Sequence, residues 1–380
     1  MRQQSSYIPT LDGWRAFAVL GVILYHGRFG FFRDNSFAEK LASRGEAGVD
    51  VFFAISGFLI CGLLLKEFAR EGGLSLGRFY IRRFFRILPP YCAALVGIGL
   101  LSIFGAIHLN HWELPSCLLF YRNYKPLGMD EYGGFYTAHF WSLAVEEHFY
   151  LIWPVLLLAV KPKRAGKVAF LLAAVIFSWR CIEERFHVFA SILPQAQANL
   201  LTRTDTRMDA LLWGCLAAIY FPEIKRIVER IRFSQLWLPV LIAVLVVEAL
   251  QPPGMLLLRG ILLPALVLTT VLQPRSWLGR VLEWRPICWI GTISYSLYLW
   301  QELFLPEVVS VKAHGAFSLL QQLPWNMAAI LACACLSRYL LEIPMTRLGH
   351  RLGASLPGRG GPLIHQPHAW LRIRRSLLGS

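Results

Sequence analysis

Two ionisable residues lie in the first apolar segment of the chain, LDGWRAFAVLGVILYH. Arg15 and His26 are eleven residues apart, so on a helix they lie within roughly 20° of the same face. An arginine and a histidine are costly in a segment hydrophobic enough to cross a membrane, and they are usually kept there for function. Histidine is also the side chain that most readily exchanges a proton near neutral pH. The pair predicts a functional helix face on which His26 transfers protons.

Carboxylates occur in two later apolar segments. Asp50 lies near the start of GVDVFFAISGFLI, and Glu146 and Glu147 are adjacent in FWSLAVEEHFYLIWP. A carboxylate at membrane depth needs a partner, so these residues predict acid–base groups or substrate contacts. The alternatives are a structural hydrogen bond to another helix for the glutamates and close helix packing for Ser56-Gly57. The candidate substrate contacts are Ser56, Glu147, Arg207 and Asp209.

A basic cluster precedes the third apolar segment, in the sequence RFYIRRFFRILPPY. Arg83 and Arg86 are one helical turn apart, and Arg82 is adjacent to them. Arginine binds phosphate through paired hydrogen bonds, so the cluster predicts a phosphate site formed by Arg82, Arg83 and Arg86. The alternative is the cytoplasmic charge bias of membrane proteins, combined with contact to lipid headgroups.

The elements that must position these residues are transmembrane helices. Of the 380 residues, 56% are apolar and only 16% are charged, whereas soluble domains carry about 25% charged residues. No cleavable signal peptide is expected, because the first apolar run contains Arg15 and lacks a following cleavage site. We predict an all-α, polytopic transmembrane helix bundle with about ten spans, at residues 12–29, 48–65, 84–106, 141–160, 167–187, 208–222, 235–251, 257–273, 287–305 and 320–340.

Charge bias gives this predicted bundle a direction. Lys and Arg concentrate in alternate loops, which places both termini in the cytoplasm and explains the net charge of +15 without nucleic-acid binding. The outer half is then expected to hold His26, Asp50, Glu146, Glu147, Arg207 and Asp209, and the inner half Arg15, Arg83, Arg86 and Glu342. Phosphate-type groups inside and acid–base groups outside predict transfer of a chemical group across the membrane.

The chain divides into a membrane part, residues 7–348, and a basic, Gly/Pro-rich tail, residues 349–380. The tail is expected to be cytoplasmic and disordered. The cysteines are scattered through apolar runs and predict no disulfide framework. No metal site is expected, because His108 and His111 have no carboxylate or cysteine nearby in sequence.

Several of these segments recur in a fixed order that points to a family. The ordered motifs are the first segment with its Arg-x10-His spacing, GVDVFFAISGFLI, RRFFRILPPY, WSLAVEEHFYLIWP, RMDALLWGCLAA, ISYSLYLW and YLLEIP. Each motif alone is weak, whereas seven in order are specific. Over roughly residues 7–348 the sequence resembles the acyltransferase 3 family of integral membrane acyltransferases.

This resemblance implies transfer of an acyl group, expected to be acetyl, from cytoplasmic acyl-CoA to a hydroxyl of an acceptor outside the cell. Such acceptors are commonly bacterial surface carbohydrates, for example lipopolysaccharide or peptidoglycan, and the protein is expected in the bacterial cytoplasmic (inner) membrane. His26 is implied to be catalytic and Arg15 to support it, while the arginine cluster engages acyl-CoA. Glu146 or Asp50 is expected to hold the imidazole tautomer.

The sequence departs from the family pattern at one point and leaves others open. The family often has histidine at the position of Gln301, so Gln301 is assigned no catalytic role. Some members carry an additional esterase-like domain, which is not expected in this sequence. Open points are the acceptor, a homodimer, and whether His26 is a general base or an acyl carrier. The alternative function is a transporter or flippase of an anionic lipid or sugar, with the same charged residues lining a pathway.

Overall fold

The apolar segments form helices in a computed structural model, which describes residues 7–32, 35–125, 134–192, 199–231, 235–305 and 313–356. Every regular element in those ranges is helical, as predicted. The helices are α1 (Pro9–Phe31), α2 (Ser36–Ser43), α3 (Ala47–Glu71), α4 (Leu76–Ile103), α5 (Glu113–Leu118), α6 (Phe140–Phe186), α7 (Val188–Ile192), α8 (Thr204–Arg207), α9 (Asp209–Ile219), α10 (Phe221–Arg230), α11 (Trp237–Leu250), α12 (Met255–Leu272), α13 (Trp277–Leu282), α14 (Arg285–Phe304), α15 (Trp325–Leu336) and α16 (Ile343–Ser355). A π-helical segment, Ser337–Glu342, joins α15 to α16.

Helix α6 contains two of the predicted segments in one element. Lys161 has φ 61° and ψ 156°, which interrupts the helical backbone immediately before Pro162. A residue before proline is biased away from helical geometry, which explains the position of the break. The segments at 141–160 and 167–187 are therefore two helices that meet at a kink without an intervening loop.

Several parts of the described chain are long and apolar enough to cross a membrane. Five helical stretches meet that requirement among the described residues, namely Ser36–Glu71, Leu76–Ile103, Phe135–Phe186, Met255–Leu272 and Trp325–Ser355. The chain is therefore a multi-pass, helical membrane protein. The number of ten crossings and the cytoplasmic position of both termini stay predictions.

Close helix contacts hold α1, α3, α9 and α14 together. A Cβ atom added to Gly291 on α14 would lie 1.9 Å from the carbonyl oxygen of Asp12 on α1. A Cβ atom added to Gly57 on α3 would lie 2.0 Å from the carbonyl oxygen of Leu211 on α9. Small residues let helix backbones approach in this way, so the packing interpretation of Ser56-Gly57 is correct for the glycine.

The C-terminal end of the described chain packs against α4. Helix α16 continues to Ser355, past the boundary at residue 348 that the sequence analysis placed between membrane part and tail. A Cβ atom on Gly349 would lie 2.6 Å from Cβ of Phe85, so this turn of α16 lies directly on α4. The expectation for residues 357–380 lies outside the described residues.

Candidate active site

A cavity of about 430 Å³ lies between α1, α3, α4, α6, α14 and the π-helical segment. This volume is within the range of about 300–1,000 Å³ that is typical of small-molecule sites. We call it the arginine cavity. Its apolar walls are interrupted by acidic and basic side chains, namely Asp12, Arg15, Arg83, Arg86, Glu146, Glu147, Arg338 and Glu342.

Most charges in the arginine cavity have a protein partner. Arg15 donates from Nη1 to Oδ1 of Asp12 at 2.9 Å, one turn earlier on α1. Arg338 donates to Oε1 of Glu342 at 2.5 Å across the π-helical segment. The carboxylate of Glu146 accepts hydrogen bonds from Ser56 Oγ at 3.0 Å and from the Tyr150 hydroxyl at 2.8 Å. These contacts fix the walls of the cavity.

Arg83, Arg86 and Glu147 also line the arginine cavity. In the described part of the chain, none of them has a hydrogen bond or ion pair to another side chain. Arg83 lies over the ring of Tyr150, with 5.2 Å between its guanidinium carbon and the ring centroid. The two guanidinium groups keep hydrogen-bond donors that no described side chain takes up, and such donors bind the oxygens of anionic ligands.

His26 does not line the arginine cavity and lies in a separate polar cluster. Both polar atoms of the Gln301 amide are close to Nδ1 of His26, with Oε1 at 3.0 Å and Nε2 at 2.7 Å. On the other side of the ring, Nε2 is 3.6 Å from Oε1 of Glu302. The His26 side chain is 14% exposed, whereas that of Glu302 is only 2% exposed.

Glu302 connects His26 to a second histidine. Its Oε2 accepts a short hydrogen bond from Nδ1 of His139, and the backbone N–H of His139 donates to the same oxygen at 2.9 Å. Nε2 of His139 lies 3.3 Å from the carbonyl oxygen of Leu299. His26, Glu302 and His139 thus come from α1, α14 and the residue before α6. We call these three residues the His–Glu–His cluster.

Comparison with known proteins decides the family. A family model described as an acyltransferase domain, that of acyltransferase 3, matches residues 8–343. The chain belongs to the acyltransferase 3 family. This confirms the resemblance seen in the ordered motifs.

The relatives of this acyltransferase 3 protein are O-acetyltransferases by name. A candidate peptidoglycan O-acetyltransferase of Bacillus subtilis (strain 168) is 31% identical over 92% of this chain and 56% of its own length. The peptidoglycan O-acetyltransferase OatA of Listeria monocytogenes is 31% identical over 79% of this chain and 49% of its own length. The chain therefore spans about half the length of the curated relatives it matches. No solved structure matches it significantly.

The structure corrects the expected surroundings of His26 in this acyltransferase 3 protein. Arg15 donates a hydrogen bond to Asp12, and it lies about 16 Å from His26 along the axis of α1. Glu146 binds Ser56 and Tyr150 in the arginine cavity. Neither residue contacts His26, and the expectation that Glu146 orients the imidazole is wrong.

The assignment of Glu146 and Glu147 to the outer group with His26 is also wrong. Both residues face the same cavity as Arg83 and Arg86. The reason is the start of α6, since His139 precedes its first residue and Glu146 lies seven residues further along. Seven residues correspond to about 10 Å of helix, so the glutamates lie that far along α6 from His139, which belongs to the cluster around His26.

Asp50 faces α8 and α12 instead of α1. A Cβ atom on Gly48 would touch the Ala18 carbonyl on α1 at 2.3 Å, and Asp50 is two residues, or about 200°, further around α3. Its Oδ1 accepts a hydrogen bond from Arg207 at 2.7 Å, and its Oδ2 is 3.8 Å from Arg259. The expectation that Asp50 holds the His26 tautomer is therefore wrong.

Three residues assigned to ligand binding are held by ion pairs outside the arginine cavity. Arg82 donates to Oε2 of Glu67 at 3.0 Å and does not line the arginine cavity. Arg207 pairs with Asp50, as above, and both oxygens of Asp209 accept hydrogen bonds from Arg180 at 3.1 and 3.0 Å. These buried pairs give Arg207 and Asp209 a structural role.

Sequence reasoning missed Glu302, His139 and the contact of Gln301. Neither Glu302 nor His139 is singled out from the sequence. Both are ionisable residues in or beside an apolar segment, which is the signal that would have found them. The contact of Gln301 with His26 joins residues 275 positions apart in sequence and cannot be deduced from spacing.

Proposed function

We propose that the protein is a membrane O-acyltransferase that moves an acetyl group from acetyl-CoA to a sugar hydroxyl. The observation that carries this proposal is the position of His26 between Gln301 and the buried carboxylate of Glu302. Membership of the acyltransferase 3 family and the O-acetyltransferase names of the relatives support it. A transporter or flippase is not favoured, because neither would need a histidine oriented for proton transfer.

His26 acts as the general base in this proposal. In the tautomer that carries its proton on Nδ1, His26 donates to Oε1 of Gln301, and Nε2 keeps its lone pair. The 3.6 Å between Nε2 and Glu302 is too long for a hydrogen bond, so Nε2 stays available to a substrate hydroxyl. The hydroxyl oxygen attacks the thioester carbon, its proton passes to Nε2, and the carbon–sulfur bond breaks to release the thiolate of coenzyme A. Glu302 stabilises the imidazolium that forms.

The arginine cavity holds the donor in this proposal. Among the described residues nothing occupies the hydrogen-bond donors of Arg83 and Arg86, and a coenzyme A molecule carries phosphate groups that guanidinium groups bind tightly. The carboxylate of Glu147 lines the same cavity. In this proposal the cavity lies on the cytoplasmic side, where acetyl-CoA is available, and the His–Glu–His cluster lies toward the outside; the charge bias of the loops supports this direction.

Peptidoglycan is the proposed acceptor. It is the substrate in the names of the Bacillus and Listeria relatives, whereas lipopolysaccharide finds no support among them. Sugar hydroxyls are weak nucleophiles at neutral pH, which matches the need for a positioned base. The bacterial cytoplasmic membrane is the proposed location, because peptidoglycan lies beyond its outer face.

Cells that express the wild-type chain, the His26→Ala variant or an empty vector test this function. Mass spectrometry of muropeptides is expected to show O-acetyl groups with the wild-type chain and the vector background with His26→Ala at equal membrane levels. Equal O-acetylation in all three cultures would exclude peptidoglycan as the acceptor. Full O-acetylation with a well-expressed His26→Ala variant would exclude His26 as the base.

A further inference from the structure

The arginine cavity and the His–Glu–His cluster are separated by a single layer of side chains. On α6 the cavity residue nearest to the cluster is Ser142, three residues after His139. On α14 the nearest cavity residue is Tyr298, four residues before Glu302. Three or four helical residues correspond to about 5–6 Å. One helical turn on each of two helices therefore lies between the cavity and the cluster.

Tyr298 and Ser142 are hydrogen-bonded to each other in this layer. Their hydroxyl oxygens are 2.6 Å apart, and the Tyr298 hydroxyl donates to the carbonyl oxygen of His139 at 2.8 Å. The Tyr298 ring also meets the rings of His139 and Phe52 edge-on, with centroid distances of 5.4 and 6.1 Å. Tyr298 is also buried, and its hydroxyl and its ring both have fixed contacts, so the side chain is held in place.

We propose that the Tyr298–Ser142 pair is the passage through which the acyl group reaches His26, and that it selects short acyl groups. This inference rests on the proposed function, since it concerns the path between the donor and the base. When the phosphate groups of the donor are bound at Arg83 and Arg86, the thioester at its other end crosses the layer. Because two hydrogen bonds hold the ring, it moves little, and the passage is expected to admit a two-carbon group more readily than a longer chain.

The expected selectivity follows from the fit of alkyl chains. A site that fits one acyl group rejects each added methylene by roughly 10–200-fold. The wild-type chain is therefore expected to use acetyl-CoA in strong preference to butyryl-CoA. Releasing the Tyr298 ring from its partners should relax this preference without changing donor affinity, because the phosphate contacts lie at the other end of the cavity.

Two variants release the ring to different degrees. Tyr298→Phe keeps the ring and removes both hydrogen bonds, whereas Ser142→Ala removes only one of them. Tyr295→Phe is the matched control, because Tyr295 lines the same cavity on α14 and donates to the carbonyl oxygen of Ile87 at 2.9 Å, away from the layer. Ser142→Ala is a small change on α6, so the test does not depend on Tyr298→Phe folding.

The experiment uses the full chain reconstituted in vesicles with peptidoglycan fragments and either acetyl-CoA or butyryl-CoA. Release of free coenzyme A gives kcat/KM for each donor. Tyr298→Phe is expected to raise the butyryl-to-acetyl ratio by roughly tenfold or more and Ser142→Ala by less, with the acetyl-CoA KM unchanged. Tyr295→Phe is expected to keep the wild-type ratio.

The outcomes separate this inference from the proposed function. If the wild-type chain transfers acetyl groups and depends on His26, but neither Tyr298→Phe nor Ser142→Ala changes the ratio, the passage is wrong and the function stands. An equal change in Tyr295→Phe would also overturn the passage. If the wild-type chain transfers no acyl group from either donor, the proposed function fails and this inference fails with it.

Discussion

Replacing Glu302 by glutamine tests how the active site stabilises charge. The substitution keeps the size of a side chain that is 2% exposed, removes its charge and replaces one acceptor oxygen by an NH2 group. When His26 takes the hydroxyl proton, its imidazolium lies 3.6 Å from Oε1 of Glu302. At an effective dielectric constant of about 20, a unit charge pair at that distance interacts by about 5 kcal/mol.

An interaction of that size acts only when the imidazolium has formed. Its loss in Glu302→Gln should therefore lower kcat by roughly three orders of magnitude and leave the acetyl-CoA KM unchanged. The assay is release of coenzyme A by the chain reconstituted in vesicles with peptidoglycan fragments. Thermal unfolding in detergent checks that the variant is folded.

Glu113→Gln is the matched control for this substitution. Glu113 is also completely buried, and its carboxylate accepts hydrogen bonds from Thr137 Oγ1 and the Asn110 backbone, away from His26. Its variant should keep the wild-type kcat per folded molecule. A Glu302→Gln variant with wild-type kcat, alongside an inactive His26→Ala variant, would refute the role given to Glu302.

Three further predictions concern the donor site and the packing around it. Arg83→Ala should raise the acetyl-CoA KM by roughly tenfold or more. Arg82→Ala should not, because Glu67 holds the Arg82 side chain outside the cavity. Equal effects of the two variants in donor titrations would contradict the assignment. Asp50→Asn leaves Arg207 without its buried counter-charge and should cost about 3–5 kcal/mol of stability in thermal unfolding, with kcat per folded molecule retained. Loss of activity at unchanged stability would instead place Asp50 in catalysis. Gly291→Ala should push α14 away from α1, because the new Cβ atom would lie 1.9 Å from the Asp12 carbonyl oxygen. The variant should therefore have a lower melting temperature and a lower kcat. A wild-type melting temperature would show that the helices are not in such close contact.

The sequence was sufficient to predict the helices and the family, because both depend on local patterns. Long apolar runs define α3, α4 and α12, and the ends of these helices differ from the predicted ones by one to eight residues. The interruption of α6 at Lys161 is also visible in sequence, since a proline follows it. Arg83 and Arg86 were grouped correctly because they lie one turn apart on one helix.

Contacts between helices were not predictable from spacing. Asp50, Glu146 and His26 were grouped by their estimated depth, but depth does not determine which helix a side chain faces. Glu302 reaches His26 only because α14 packs against α1, and this contact depends on Gly291, not on any pattern near His26. The His–Glu–His cluster was missed for this reason.

The central claim is that His26 removes the acceptor proton during acyl transfer. Its most direct test is transfer of radiolabelled acetyl groups from acetyl-CoA to peptidoglycan fragments by the wild-type chain and by His26→Ala, both reconstituted in vesicles. We predict label on the fragments with the wild-type chain and none above background with His26→Ala, while both bind acetyl-CoA with similar affinity. Labelling at the wild-type rate by His26→Ala would contradict the claim.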